Sequence, residues 1–138
     1  MKRCSLIRAS NNMKEQKILI CDDSKLVRSR LKKVLNELNT DENKVKILEA
    51  VDGNESIELY KDNNPALVFM DIVMPNKSGI EVIKEIKSYD SDAIIIMASS
   101  VGTKKHLKQA LDYGAADFIQ KPLNNKKIKD IVKKYLNK

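Results

Sequence analysis

The chain has 138 residues, 42% of them hydrophobic and 33% charged, a length and composition that indicate one water-soluble globular domain. Its apolar runs fall well short of the roughly 20 residues that span a bilayer, and its basic N-terminus lacks the apolar stretch of a secretory signal, so we expect neither a membrane protein nor a secreted one. Cys4 and Cys21 show neither metal-ligand nor disulfide spacing, which favours a cytoplasmic protein.

Strand-like and helix-like stretches alternate along most of the chain. The predicted strands are apolar, and they cover residues 17–21, 45–50, 66–71, 93–99 and 117–120. The predicted helices carry apolar residues at helical spacing, and they cover residues 24–38, 53–63, 79–88, 103–113 and 124–138. Ser24 is the predicted N-cap of the first helix, and Gly114 closes the fourth. We interpret residues 1–15 as a flexible extension, with Met13 as an alternative start, and residues 16–138 as a single domain without an output domain.

Five strand–helix repeats predict an α/β fold. Strands that alternate with helices at this spacing are typical of a parallel sheet covered by helices on both faces, the doubly wound arrangement. The strands are apolar almost throughout, which supports burial on both faces, because a half-exposed sheet would alternate apolar and polar residues. In open sheets of this kind, binding sites form beyond the carboxyl ends of the strands.

Polar residues follow four of the five predicted strands at that edge. They are Asp22 and Asp23 after the first strand, Asp71 at the end of the third, Ser99 and Ser100 at the fourth, and Lys121 after the fifth. Close carboxylates repel one another, so three of them at one edge favour a hard divalent cation such as Mg²⁺, which prefers oxygen ligands. A lysine and hydroxyls nearby suit a phosphoryl group, and one carboxylate could attack its phosphorus to form an acyl phosphate.

Each of these residues also has an ordinary structural interpretation. Asp22 or Asp23 can be a helix N-cap, Asp71 can close a turn, and Lys121 can be a solvated surface residue. No single one of these residues indicates a functional site. The prediction of a site depends on finding all of them at the ends of the predicted strands.

Four motifs resemble the receiver domain of two-component response regulators, above all the stand-alone receivers of the chemotaxis type. They are ILICDDS, VFMDIVMPNKSG, IIIMASS and DYGAADFIQKPL, and the similarity extends from about Lys17 to Tyr135. The resemblance implies a (βα)5, flavodoxin-like fold with a five-stranded parallel sheet in the order 2-1-3-4-5. It also implies a phosphoacceptor that catalyses its own phosphotransfer and autodephosphorylation rather than a true enzyme.

The resemblance assigns a role to the residues at the carboxyl edge. Asp71 matches the aspartate that accepts the phosphoryl group. The backbone carbonyl of Val73, together with the carboxylates of Asp22, Asp23 and Asp71, matches the ligands of Mg²⁺. Lys121 matches the lysine that contacts the phosphoryl group.

The conformational switch of the family matches Ser99, as the hydroxyl, and Phe118, as the aromatic ring. Ser100 stands where Ala or Gly is common in the family, so either serine could donate the hydrogen bond. Phe118 lacks the hydroxyl that Tyr would offer to a partner. Val73 cannot orient an attacking water as an amide or an acid would, so we expect slow self-dephosphorylation. The bond from Lys121 to Pro122 matches one that is usually cis.

The implied function is a phosphorylation-operated switch, most simply in chemotaxis or motility control. The donor would be a sensor histidine kinase or a phosphotransfer protein. The target would be another protein, such as a flagellar motor switch component, bound through the fourth helix, fifth strand and fifth helix. A phosphorelay intermediate or another single-domain regulator is the alternative. An aspartyl-phosphate hydrolase is less strongly indicated, because Val73 stands where a second Asp is usual. A flavin carrier of the same fold is also less strongly indicated, because Asp22 and Asp23 would repel the phosphate of the flavin.

The formal net charge of +7 is concentrated at the two ends of the chain. Residues 1–16 carry +3 and residues 121–138 carry +6, which leaves −2 for the residues between them. A basic end can attract nucleic acid or an acidic partner. Aromatic residues are only 4% of the chain and do not alternate with the lysines, so no base-stacking platform is visible. We therefore favour a solvated, lysine-rich last helix and expect no nucleic-acid partner.

Overall fold

The computed structural model describes residues 14–41, 43–100 and 104–136. Its strands are β1 (Lys14–Cys21), β2 (Asn43–Ala50), β3 (Leu67–Asp71), β4 (Ile95–Ser99) and β5 (Asp117–Gln120). Its helices are α1 (Lys25–Asn36), α2 (Gly53–Asn63), α3 (Gly79–Tyr89), α4 (Lys104–Asp112) and α5 (Asn125–Leu136). Within these ranges, none of the helices combines the length and the apolarity needed to cross a membrane.

The strands form one parallel sheet in the order β2-β1-β3-β4-β5, which confirms the predicted fold class and strand order. The strand order reverses direction at β1, which lies between β2 and β3. The ends of β1 and β3 therefore lie side by side at the carboxyl edge, where open sheets of this kind form their sites.

Strand β1 begins at Lys14, three residues before the predicted start. The polar residues Lys14–Gln16 pair in register with Asn43–Val45 at the start of β2. This part of the sheet is held by the backbone ladder rather than by burial, and the hydrophobic pattern alone therefore could not predict it. Residues 1–13, most of the predicted extension, lie outside the described residues.

Local caps fix several of the helix ends, the predicted Ser24 among them. The Ser24 hydroxyl accepts a hydrogen bond from the Val27 amide (3.3 Å) and caps α1, as predicted. Ser78 and Glu81 form a reciprocal capping box at the start of α3. Gly114 has φ of +112° just after α4, the left-handed conformation that a glycine adopts at little cost.

Two apolar clusters lie on opposite faces of the sheet. On one face, α1 and α5 contribute Leu31, Leu35 and Ile128. On the other face, the apolar side chains of α2, α3 and α4 cover the sheet, with Tyr60 and Ile83 fully buried. The sheet is thus covered by helices on both faces, so a site for polar ligands can form only at its edges.

Candidate functional site

Three carboxylates meet at the carboxyl edge of the sheet. Asp22 and Asp23 follow β1, and Asp71 is the last residue of β3. One carboxylate oxygen from each of the three lies within 4.8 Å of the others. Asp22 and Asp71 are buried while Asp23 is exposed, so the cluster opens to solvent on one side. The structure thus brings together the three acidic residues that the sequence singled out.

Hydrogen bonds hold Asp22 in place from several directions. Its amide donates to the carbonyl of Ala50 at the end of β2 (3.1 Å), and its Oδ1 accepts from the amide of Ser24 (2.9 Å). Ser24 itself caps α1, so the interpretation of Asp22 as the N-cap is wrong. The second oxygen of Asp22 is left to face Lys121 and the centre of the cluster.

Lys121 supplies the positive charge of the site. It follows β5, where its amide donates to the carbonyl of Ser99 (2.8 Å), and its peptide bond to Pro122 is cis, as the resemblance implied. Its Nζ lies 2.8 Å from Asp22 Oδ2 and 3.5 Å from Asp71 Oδ1. The side chain is only 15% exposed, so the interpretation of Lys121 as a solvated surface residue is wrong.

Asp71 has an electrostatic environment unlike that of an ordinary surface acid. Burial, and next the charge of Asp22, raise the pKa of Asp71 to about 6. Lys121 and the amide of Val73, which donates to the carboxylate, act in the opposite direction and lower this pKa. Asp71 is therefore mostly ionised at neutral pH, and the carboxylates of the cluster attract a further positive charge.

The donor set suits a hard divalent cation. It offers carboxylate oxygens, the ligands that Mg²⁺ prefers, and one of the three residues, Asp23, is exposed to solvent. Repulsion by Asp22 is the second cause of the raised pKa of Asp71, after burial, and a bound cation would relieve that repulsion. Asp22, Asp23 and Asp71 thus form an acidic pocket that could bind a metal.

Replacing Asp71 with asparagine should stabilise the metal-free protein at neutral pH but not in acid. A carboxyl group whose folded pKa is raised favours folding below its unfolded pKa of about 4 and loses that contribution as the pH rises through about 6. We expect Asp71→Asn to raise the free energy of unfolding by about 1–2 kcal/mol near pH 7.5, a value reduced for solvent screening, and by nearly nothing near pH 4. Urea unfolding with EDTA at both pH values measures this, and an equal difference at both would contradict it.

The proposed switch residues lie on β4 and β5, the two strands that follow β3 in the sheet. Ser99 is half-buried at the end of β4, next to the strand that leads to Lys121, while Ser100 is exposed. Phe118 is half-buried in β5 and packs against the apolar cluster on the α2–α4 face. Val73 is 74% exposed, two residues after Asp71. Their roles in a switch stay a prediction, but their positions are compatible with it.

Two residues that shape the site were missed from the sequence. Arg28 in α1 donates from Nη1 to the carbonyl of Asp22 (2.8 Å), although helical spacing alone gave it no special place. Gly79 begins α3 against the backbone of β3, and a Cβ there would lie 2.9 Å from Ile72 Cα and still closer to the Asp71 carbonyl oxygen. A glycine at a helix start after the acidic residue was the signal that could have revealed this close approach.

Comparisons with known proteins agree with this geometry. The family model described as response regulator receiver domain matches residues 18–133. The chemotaxis protein CheY of Halobacterium salinarum is 39% identical over 118 residues, which cover 85% of this chain and 93% of that protein. The chemotaxis protein CheY of Bacillus subtilis is 38% identical over 121 residues, which cover 88% of this chain and 98% of that protein.

Solved structures give the same result. A chain in the crystal structure of the CheX–CheY–BeF3–Mg²⁺ complex from Borrelia burgdorferi is 31% identical, with a TM-score of 0.77 over 86% of this chain and 87% of that one. The response regulator domain of CheB from Thermotoga maritima is 30% identical, with a TM-score of 0.74 over 90% of this chain and 96% of that one. Motifs, strand order and sequence similarity thus coincide over most of the chain, which belongs to the family of response-regulator receiver domains.

Proposed function

We propose that this receiver domain is a response regulator that accepts a phosphoryl group on Asp71 in a reaction that depends on Mg²⁺. The observation that carries the proposal is the grouping around Asp71. Two further carboxylates lie within 4.8 Å of it, and the Lys121 ammonium lies 3.5 Å from its Oδ1. This is the combination of nucleophile and opposite charges that phosphoryl transfer to an aspartate needs.

Asp71 is the carboxylate best placed to act as the nucleophile. Its Oδ2 or Oδ1 would form a bond to phosphorus while the bond from phosphorus to the donor breaks, and the electron pair of that bond would leave with the donor. The product is an acyl phosphate on Asp71. Asp22 is the weaker candidate, since one of its oxygens accepts from the Ser24 amide and the other from Lys121.

Lys121 and the Val73 amide would bind and orient the incoming group. The ammonium between Asp22 and Asp71 can turn toward a phosphoryl oxygen, because it contacts each of the two carboxylates through a single atom. The Val73 amide already points at the Asp71 carboxylate. A divalent cation held by Asp22, Asp23, Asp71 and the carbonyl of Val73 would supply the remaining charge neutralisation.

Ser99 and Phe118 are the residues that would convert the chemical step into a change of surface. Ser99 is one strand away from Asp71, since β3 and β4 are neighbours in the sheet. Its hydroxyl could move toward a phosphoryl oxygen. The ring of Phe118, on the adjacent strand β5, could then rotate inward as the hydroxyl moves. The surface so changed consists of α4, β5 and α5.

We infer the partners from the receiver-domain family. The donor is a sensor histidine kinase or a phosphotransfer protein, and the target is a protein that binds the α4, β5 and α5 surface in the cytoplasm. Chemotaxis is favoured because two relatives that match most of this chain are chemotaxis proteins CheY, and a flagellar motor switch component is then the natural target. A phosphorelay intermediate is the second candidate, and it would use the same Asp71.

Two other functions receive less support. A hydrolase of aspartyl phosphates usually carries a second Asp two residues after the nucleophile, and here that position is Val73. Nucleic-acid binding is less favoured because three lysines of α5 are paired with acids: Lys129 lies 2.8 Å from Glu37, Lys126 lies 3.2 Å from Asp130, and Lys134 lies 3.6 Å from Asp117. These pairs lower the positive potential that would attract a phosphate backbone.

The proposed function is tested by intact mass spectrometry after incubation with acetyl phosphate. We expect a single phosphoryl adduct on the wild-type protein in Mg²⁺, and none with EDTA. Asp71→Asn should give no adduct under either condition, because it keeps the shape of the side chain but removes the nucleophile. An adduct of equal yield on Asp71→Asn would contradict the proposal.

We expect the phosphorylated protein to lose its phosphoryl group slowly, with a half-life of minutes or longer. Val73 lies exposed at the mouth of the site and has no polar group with which to orient an attacking water. Replacing Val73 with glutamine should shorten the half-life by about tenfold, the scale of a modest orientation effect, while Val73→Leu should not. The decay of the adduct mass after removal of acetyl phosphate measures both, and a half-life of seconds for the wild type would refute this expectation.

A further inference from the structure

Arg28 is a partly buried cation next to the acidic cluster that the proposed chemistry does not use. It lies in α1, its side chain is 12% exposed, and its guanidinium makes two directed contacts. Nη1 donates to the backbone carbonyl of Asp22 (2.8 Å), and Nε donates to Oε1 of Glu49 (2.9 Å). Glu49 lies in β2, next to the residue whose carbonyl accepts from the Asp22 amide.

These contacts fix the loop that carries the acidic pair. The Asp22 amide is tied to β2 through Ala50, and the Asp22 carbonyl is tied to β2 through Arg28 and Glu49. Both polar groups of the Asp22 backbone are therefore anchored to the same neighbouring strand. The peptide that joins Asp22 to Asp23 contains this carbonyl, so its orientation sets where the Asp23 carboxylate can lie.

We propose that Arg28 is a positioning residue that holds the Asp22–Asp23 peptide so that both carboxylates face one divalent cation. The inference rests on the proposed function, since it concerns the cation that the function requires. The guanidinium suits this task because its donors are coplanar and directed, so it can hold a carbonyl and a carboxylate in one fixed arrangement. A lysine has the same charge but places it at a single atom on a flexible stem.

The charge of Arg28 and its positioning contacts should have opposite effects on the affinity for Mg²⁺, so the two roles can be separated by experiment. A cation next to three carboxylates repels a second cation, so removing the charge of Arg28 should by itself tighten Mg²⁺ binding. Loss of the positioning contacts should weaken it, because residues behind metal ligands commonly change affinity by about tenfold or more. We expect positioning to prevail, since the Asp22 carbonyl is held at 2.8 Å while the Arg28 charge is also balanced by Glu49.

Lys32 provides a matched control on the same helix. It lies one turn after Arg28, and its Nζ contacts Oε2 of Glu49 (2.9 Å), but its described contacts do not include Asp22. Lys32→Met therefore removes a positive charge beside the same glutamate without releasing the acidic loop. Arg28→Lys does the reverse, because it keeps the charge and loses the two-pronged contact.

The test is the dissociation constant for Mg²⁺ by titration calorimetry of the full chain, with unfolding in urea plus EDTA as a separate measure of stability. We expect Arg28→Lys and Arg28→Met to weaken binding about tenfold, and Lys32→Met to leave it unchanged or slightly tighter. Glu49→Gln, a milder change that releases one end of Arg28, should weaken it less and serves if the arginine variants unfold.

Three results would count against the inference. Unchanged or tighter Mg²⁺ binding by both Arg28 variants would overturn it, even if they lost stability, because Arg28 would then be a purely structural residue. Equal weakening by Lys32→Met would overturn it too, since the effect would belong to Glu49. Absence of Mg²⁺ binding by the wild type would contradict the proposed function itself and, with it, the inference.

Discussion

Replacing Gly79 with alanine should destabilise the protein by about 3 kcal/mol or more and impair the site. The new Cβ would lie 2.9 Å from Ile72 Cα and closer still to the carbonyl oxygen of Asp71, both of them backbone atoms that cannot rotate away. Helix α3 would have to withdraw from β3 and weaken the hydrogen bond from the Gly79 amide to the Ile72 carbonyl (2.7 Å). Urea unfolding measures the cost, and acetyl phosphate labelling measures the damage to the site.

Gly114→Ala is the control for a glycine that is strained but far from the acidic cluster. Its φ of +112° disfavours alanine, yet its nearest neighbour would be the end of the flexible Lys87 side chain, which can move. We expect a loss of about 1–2 kcal/mol and normal phosphoryl acceptance. A Gly79→Ala protein that is as stable as wild type and is labelled at the normal rate would contradict the close approach of α3 to β3.

Removing the Lys121 charge should destabilise the metal-free protein and strengthen its hold on Mg²⁺. In Lys121→Met, Asp22 and Asp71 lose the ammonium that lies 2.8 Å and 3.5 Å from them, and breaking a buried pair in this way leaves carboxylates uncompensated. We expect a cost of about 2 kcal/mol, below the usual range for buried pairs because Asp71 can take up a proton instead. Added Mg²⁺ should reduce this cost, since it supplies the missing charge.

Lys77→Met is the matched control for the loss of a lysine charge. Lys77 forms an ion pair of the same length with Glu85 (2.8 Å), but the two side chains are 33% and 43% exposed. Its loss should cost much less than the loss of Lys121, because the pair is exposed to solvent, and the cost should not depend on Mg²⁺. Unfolding curves of each variant, recorded with EDTA and again with excess Mg²⁺, measure the loss of stability under both conditions. Similar costs for the two variants, or weaker Mg²⁺ binding by Lys121→Met, would show that Lys121 does not stand in for a cation.

The fold could be predicted from the sequence because its main signals are local. Strands such as Leu67–Asp71 are buried at every position, so they form unbroken apolar runs between turn residues. Parallel strands place their carboxyl ends at one edge, and this rule alone brings Asp22, Asp71 and Lys121 together. Strand and helix ends were less accurate, as at β1, since hydrogen bonding between polar residues leaves no periodic trace.

The finer organisation of the site could not be predicted, because it depends on contacts between distant parts of the chain. Arg28 reads as one of several basic residues on α1, and only packing against β2 shows that its guanidinium faces the Asp22 carbonyl. Gly79 reads as an ordinary helix start until β3 is placed beside it. The raised pKa of Asp71 likewise results from burial and from Asp22, 49 positions away in the chain.

Locating the phosphoryl group chemically tests whether Asp71 is the acceptor. Protein labelled with acetyl phosphate in Mg²⁺ is treated with tritiated borohydride, which reduces an aspartyl phosphate to homoserine and marks that residue, and the peptides are then sequenced. We expect radioactivity at Asp71, because both carboxylate oxygens of Asp22 already accept hydrogen bonds, one from the Ser24 amide and one from Lys121. Radioactivity at Asp22 or Asp23 instead, or an adduct that borohydride cannot reduce, would contradict the assignment of Asp71 as the acceptor.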